Sequence, residues 1–214
     1  DQPSLYYGEE QNEYVITNTD SKEFHYPGRE GNVYQDYTGS GGVSLGSPLS
    51  RALMAIHFGS YKILLNSDTN EESRIMYNRN VHQRVEKALP FLQMDSDPYM
   101  IIAEGELKWI VDAYTTSDHY PYSAHSKGKN YMRNAVKVIV DAHNGDIQAY
   151  VMEEEDPLIQ TYASIFPGIF NTMEEMPEAI KEHIRYPEDL FSNQTTLYTE
   201  YHMDTPQDYY NKED

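Results

Sequence analysis

The chain has 214 residues, of which 35 are acidic and 16 basic, for a formal charge of −19. That length suits one large domain or two small ones, and the charge disfavours nucleic acid and an anionic membrane face while attracting cations, basic peptides or basic proteins. The lack of cysteine excludes disulfides, thiol nucleophiles and Cys-based zinc sites, and no stretch approaches the roughly 20 apolar residues that cross a bilayer, so no direct membrane insertion by this chain is expected.

In chain order, Asp1-Gln2-Pro3-Ser4 reads as an entry into a domain whose natural start lies upstream. Glu13 to Thr17 reads as a short strand, closed by the turn chemistry of Asn18-Thr19-Asp20-Ser21. Tyr26-Pro27-Gly28 breaks the chain. Tyr37 to Val43 reads as a flexible loop. Ser47-Pro48 then has the form of a helix start, with Ser47 as N-cap and Pro48 in the first turn. Leu49, Leu53, Ile56 and His57 follow at helical spacing, and Gly59 stops the helix. Tyr61 to Leu65 is a strand candidate. Thr69-Asn70-Glu71-Glu72 fits a capping box, which predicts a helix from Glu72 to Leu89, ended by Pro90.

Two hairpins are expected next. Tyr99–Ala103 and Leu107–Ala113 flank Glu104-Gly105-Glu106. Lys137–Ala142 and Ile147–Met152 flank His143-Asn144-Gly145-Asp146, and Asn-Gly between alternating strands is a strong hairpin signal. Trp109 to Ala113 echoes Val138 to Ala142, which suggests neighbouring strands of one antiparallel sheet. Thr115 to Lys129 reads as a polar loop. Helices are expected at Pro157–Ile165, from Glu178, and after Pro187, the last with Leu190, Phe191, Thr195, Leu197 and Tyr198 facing inward. Thr205 to Asp214 could form one more. Hairpins in the middle and helices at the end predict an α+β fold, with a mixed part over 1–152 and a helical part over 153–214 packed on the same core.

For chemistry, Gly39-Ser40-Gly41-Gly42 lacks the Gly-Lys-Ser/Thr ending of a phosphate loop and reads as a turn. Asp95-Ser96-Asp97-Pro98 offers two hard oxygen donors for a divalent cation, although a turn before a strand explains it too. Asp118 and His119, in the loop after a strand, form the second candidate cation site. Arg74, Arg79 and Arg84 step by five, which spreads them around a helix, and some are expected to pair with acidic neighbours. Asp95, Asp97, Asp112 and Asp118 are the carboxylates an enzyme would use.

Several stretches resemble one family: Tyr6-Tyr7-Gly8-Glu9, Ser73-Arg74-Ile75 with Asn78-Arg79-Asn80, Trp109 to Thr116, Tyr120-Pro121-Tyr122-Ser123, Asn130-Tyr131-Met132-Arg133-Asn134, and Arg185-Tyr186-Pro187-Glu188-Asp189-Leu190-Phe191. In order and over nearly the whole chain, they are similar to the soluble region of an uncharacterised family of large bacterial and cyanobacterial membrane proteins. Its members carry about seven N-terminal transmembrane helices before a long hydrophilic region. The resemblance implies a fragment whose first partner is its own transmembrane region upstream, in a parent protein of the cell membrane. The family has no established activity, so it supplies no catalytic residue and no cofactor. A charge of −19 is easier to reconcile with the extracytoplasmic side, because positive charge retains segments in the cytoplasm. The Val136–Met152 hairpin is also similar to that of PepSY-type domains, small extracytoplasmic modules. The expected function is a module that binds an envelope protein or ligand; the alternative is an envelope enzyme acting on glycan or peptide through carboxylates.

Overall fold

The computed structural model describes residues 5–11, 13–28 and 31–211, so the reading of Asp1–Ser4 lies outside the described residues. It combines helices with mainly antiparallel sheets, the α+β class expected. The chain groups into two compact units. The first holds residues 1–84, 105–107 and 141–146; the second holds 85–104, 108–140 and 147–214.

In the first unit, β1 (Val15–Thr17), β5 (Arg74–Met76) and β4 (Val43–Ser44) form a three-stranded antiparallel sheet in that order. A hairpin of β2 (Phe24–Gly28) and β3 (Gly31–Tyr34) stands apart from it, so Pro27 and Gly28 end a strand. Helix α1 (Pro48–His57) starts as expected: Ser47 accepts from the Ser50 N–H and Pro48 occupies the first turn. The expected strand at Tyr61–Leu65 is instead a short helix, α2. Only Ile63 of α2 is buried, joining Leu45 and Ile75 in a small core. A one-residue anchor suits a helical turn better than an alternating strand face.

The first half of the expected Glu72–Leu89 helix is not helical and contains the short strand β5. Asn70 Oδ1 accepts from the Glu72 N–H and Ser73 Oγ accepts from the Asn70 N–H, so side chains close a local turn where a helix would begin. Ile75 and Met76 are then fully buried in β5, and Asn78 takes a positive φ of 49° that ends the extended run. Asn80 is the working cap, accepting from the Gln83 N–H at 2.9 Å, and α3 spans Val81–Ala88.

The second unit is built on β11 (Phe170–Asn171), β10 (Ile147–Val151), β9 (Tyr131–Asp141), β8 (Glu106–Ser117) and β6 (Gln93–Met94) in that order, with β7 (Tyr99–Ala103) also on β8. The tips of β8 and β9 belong to the first unit. Both expected hairpins form. Glu104 and Gly105 have φ of 54° and 82°, the two-residue turn whose twist matches its strands. The echoing segments are neighbours, as the Asn130 N–H to Ser117 O and Ala142 N–H to Leu107 O hydrogen bonds attest. From Trp109 to Thr115 every residue of β8 is buried, so this strand is covered on both faces. Ile101, Ile110, Ile139, Tyr150, Met176 and Ile180 belong to one core cluster of this unit. The C-terminal third is largely helical: α4 (Pro157–Ile165), α5 (Glu178–Lys181), α6 (Glu188–Tyr201) and α7 (Pro206–Asn211). Residues 212–214, expected in the last helix, lie outside the described residues. In α6, Phe191 and Tyr198 are 62% and 70% exposed and Thr195 is exposed too, contrary to expectation; Leu190 and Leu197 turn inward.

Candidate functional site

The turn after β6 is held by its own aspartate. Asp95 is 1% exposed, and its carboxylate accepts from the Asp97 N–H at 2.9 Å, the Asp189 N–H at 3.0 Å and the Tyr114 hydroxyl. Asp189 returns the contact, accepting from the Ser96 N–H at 2.9 Å and Ser96 Oγ at 2.8 Å. The turn and the first turn of α6 therefore clasp each other, with a carboxylate placed on helix N–H groups that have no partner inside the helix. Burial, then the hydrogen bond to Asp95, pushes the Tyr114 hydroxyl far above its ordinary range, so it stays a donor.

Beside this clasp, Asp112 of β8 and Lys137 of β9 form an ion pair with both side chains almost fully buried. The strand register sets them opposite each other, and Lys137 Nζ also donates to Arg185 O at 3.3 Å. Burial raises the Asp112 carboxyl above the usual carboxylate range, while the Lys137 ammonium and the Asn134 amide oppose that push. Asp97 pairs with Arg185, whose guanidinium lies 3.8 Å from the Tyr99 ring centroid. Burial lifts the Tyr99 hydroxyl to about 12. Glu188 carries a raised carboxyl because it shares a hydrogen bond with the Asp97 carboxylate.

The four expected cation ligands thus occupy two places. Asp95 and Asp97 belong to the clasp, with Asp95 oxygens already bonded to protein donors. Asp118 and His119 form an exposed pair at 2.5 Å past the end of β8. The Asp118 carboxyl is lowered by its own backbone N–H and then by His119. Among the described residues, no three His, Asp or Glu side chains are grouped as metal ligation requires.

A groove of about 570 Å³ opens above the Asp112–Lys137 pair. Arg133, Asn134 and Lys137 of β9 line one side; Ile184 to Pro187, Leu190 and Gln194 line the other. Its charged lining is Arg133, Lys137 and Arg185 against a single acid, Glu153. A smaller hollow of about 230 Å³ shares Met132, Arg133, Leu190 and Gln194 with it and extends to the stacked rings of Tyr120 and Tyr131. Arg133 sits 5.1 Å from the Tyr131 ring centroid. The sequence reading missed Lys137, Arg133 and Arg185. A signal for the first existed: one lysine inside Val136–Val140 and one aspartate inside Trp109–Tyr114, each in an otherwise apolar strand. The echo of the two segments concealed it by matching Asp112 with Asp141.

Comparison with known proteins places the whole chain: it belongs to the uncharacterised protein family UPF0182, whose model matches residues 1–214. It is similar to a UPF0182 protein of Pelotomaculum thermopropionicum, 52% identical over 213 residues, covering 99% of this chain and 23% of that protein. It is also similar to UPF0182 proteins of Desulforamulus reducens, at 48% over 215 residues with 99% and 23% covered, and of Methanospirillum hungatei, at 46% over 221 residues with 100% and 24% covered. The chain therefore spans about a quarter of the length of these curated relatives. No solved structure matches it.

Proposed function

We propose that this chain is a binding module of a larger membrane protein, displayed on the extracytoplasmic side, and that its groove between β9 and α6 takes a ligand or partner segment carrying a carboxylate. One observation carries the reading: in a chain of net charge −19, this groove has apolar walls and is lined by Arg133, Lys137 and Arg185 against one acid, and with Lys137 and Arg185 paired to Asp112 and Asp97 it is Arg133, in no ion pair among the described residues, that is left to meet a ligand. Guanidinium groups beside apolar surface suit a carboxylate at the end of a peptide-like chain. The buried carboxylates nearby support binding over hydrolysis. Asp95 and Asp112 are committed to protein donors and line no part of the groove, whereas glycoside hydrolysis needs two carboxyls facing one substrate.

The test is calorimetric titration with tri-leucine and with its C-terminal amide. The acid should bind, the amide should bind at least about tenfold more weakly, and Arg133→Glu should abolish the difference. Equal affinity for acid and amide would end this reading. Peptide or glycan hydrolysis that disappears in Asp97→Asn would move the chain to the enzyme class instead.

A further inference from the structure

Helix α1 is apolar on both sides. Met54, Ala55 and Phe58, just past its end, pack on the core of Leu45, Ile63 and Ile75. On the opposite face Leu49, Leu53 and Ile56 are 70%, 57% and 78% exposed, and no residue of the helix is fully buried. Helix α2 continues the surface with Tyr61 at 71%, Leu64 at 47% and Leu65 at 72% exposed. A helix that is apolar all round is normally covered all round, and six large side chains on a hairpin of two short helices exceed the scattered apolar exposure of ordinary surfaces.

The charge pattern identifies what covers them. From Tyr37 to Ser67 the sequence contains no acidic residue, although at the chain's average density of 35 in 214 about five would stand there. Arg51 is turned inward, donating to the carbonyls of Leu45, Thr69 and Asn70. Within that run the basic groups that remain are Lys62 and His57. A protein partner tolerates acids around its contact, since interface rims are polar and charged. A headgroup region excludes carboxylates from its apolar boundary and favours tyrosine at the interface and lysine that extends back to water.

We propose that the α1–α2 hairpin is an interfacial docking element that rests on the electrically neutral surface of a lipid bilayer, with Leu49, Leu53, Ile56 and Leu65 reaching the acyl boundary. It lies on the surface and does not cross it; no helix among the described residues is long and apolar enough to span a membrane. The remaining charge of the chain repels anionic lipid, which is why the surface is a neutral one. This inference is independent of the carboxylate-binding groove.

The experiment is flotation of the 214-residue chain with phosphatidylcholine vesicles. The parent chain should float, and Leu53→Glu and Ile56→Glu should each reduce partitioning at least about tenfold, because each removes a buried aliphatic group and inserts a charge. Ile102→Glu, at a position 68% exposed in β7, should float like the parent, as should Arg133→Glu. Should Leu53→Glu unfold the chain, Ile56→Gln carries the test, since that side chain is 78% exposed. Failure of the parent chain to float overturns the proposal, as does equal flotation of the Glu variants. Concentration-dependent self-association that Leu53→Glu abolishes, without flotation, would assign the face to a second copy of the chain and overturn it too.

Discussion

In the first unit, four arginines hold backbone; in the second, Lys137 and Arg185 hold carboxylates. Arg74 donates to the carbonyls of Gly41, Ser40 and Gly42 at 2.6, 2.8 and 3.0 Å. Arg79 reaches Tyr6 O and Glu13 O, Arg84 reaches Gly145 O and Tyr77 O, and Arg51 serves three carbonyls as well. Among the described residues none of the four makes an ion pair, so the expected pairing of Arg74, Arg79 and Arg84 with acids is replaced by carbonyl contacts. The difference follows from the local backbone. The first unit has short strands and long irregular loops, whose carbonyls need donors that a sheet would otherwise supply. A planar guanidinium offers five N–H groups in a fixed fork and can serve several at once. The glycine loop shows how tight the result is: a Cβ on Gly39 would lie 2.1 Å from Asn144 Oδ1 and 2.2 Å from the Tyr37 hydroxyl. It is a steric fit around Tyr37 and Asn144, not the flexible turn expected. The second unit has long paired strands that satisfy more of their own carbonyls, and there Lys137 pairs with the buried Asp112 and Arg185 with the half-exposed Asp97, each also donating to one carbonyl.

The comparison breaks most sharply at Lys137→Met. Removing one member of a buried pair leaves Asp112 buried without its counter-ion, which should cost about 3–5 kcal/mol. Replacing both, as Lys137→Met with Asp112→Leu, should recover much of that. Urea midpoints at unchanged m-value measure it; a single substitution costing under about 1 kcal/mol would show that the pair is solvated in solution.

Alkali probes both units together. Burial raises the Tyr37 hydroxyl in the first and the Tyr99 hydroxyl in the second, each to about 12, and raises Tyr6 and Tyr114 further. The folded state holds these protons more tightly than the unfolded chain, whose tyrosines ionise near 10. Stability from this source is therefore complete below about pH 10 and is lost as pH rises from there through 12. Urea midpoints at pH 8, 10 and 11 should be level and then fall, and Tyr114→Phe should flatten part of the decline. A midpoint unchanged to pH 11 would contradict the burial of these hydroxyls.

Arg74→Lys separates the charge from the fork. Lysine keeps the charge but cannot serve three carbonyls in that geometry, so the loss should be about 2 kcal/mol. Full stability in the lysine variant would mean that charge alone matters there. Arg185→Ala should cost less than about 1 kcal/mol, because that pair is roughly half exposed, with its two side chains at 45% and 41%. The loss should shrink further in 1 M salt. The smallest effect concerns divalent cations. With Asp95 committed to protein donors, millimolar Ca²⁺ should raise Tm no more than a monovalent salt of equal ionic strength. A saturable rise that Asp95→Asn removes would establish the cation site.

Some of this architecture was legible because its signals are local. Ser47-Pro48, Asp156-Pro157 and Pro187 mark helix starts through backbone chemistry that needs no distant partner. Glu104-Gly105 and Asn144-Gly145 mark hairpins for the same reason. The misreadings came where a distant partner decided. Thr69 to Glu72 carries a valid capping box, yet the following residues gain more by completing a sheet with β1 and β4 than by a helical turn. Phe191 and Tyr198, expected inward, lie off the partly covered stripe of α6, which runs through Leu190, Asn193 and Leu197.

By itself the sequence determined the α+β class, the two central hairpins, most helix starts and a net charge of −19. These depend on propensity, turn geometry and net charge, each a property of neighbouring residues or of their sum. The tertiary structure alone decided that Lys137 faces Asp112, that Asp95 caps the start of α6 ninety-four positions away, that arginines hold carbonyls, and that an acid-free apolar hairpin stays uncovered. Those facts depend on which strands pair in which register and on what each leaves exposed, and a linear pattern carries no term for either.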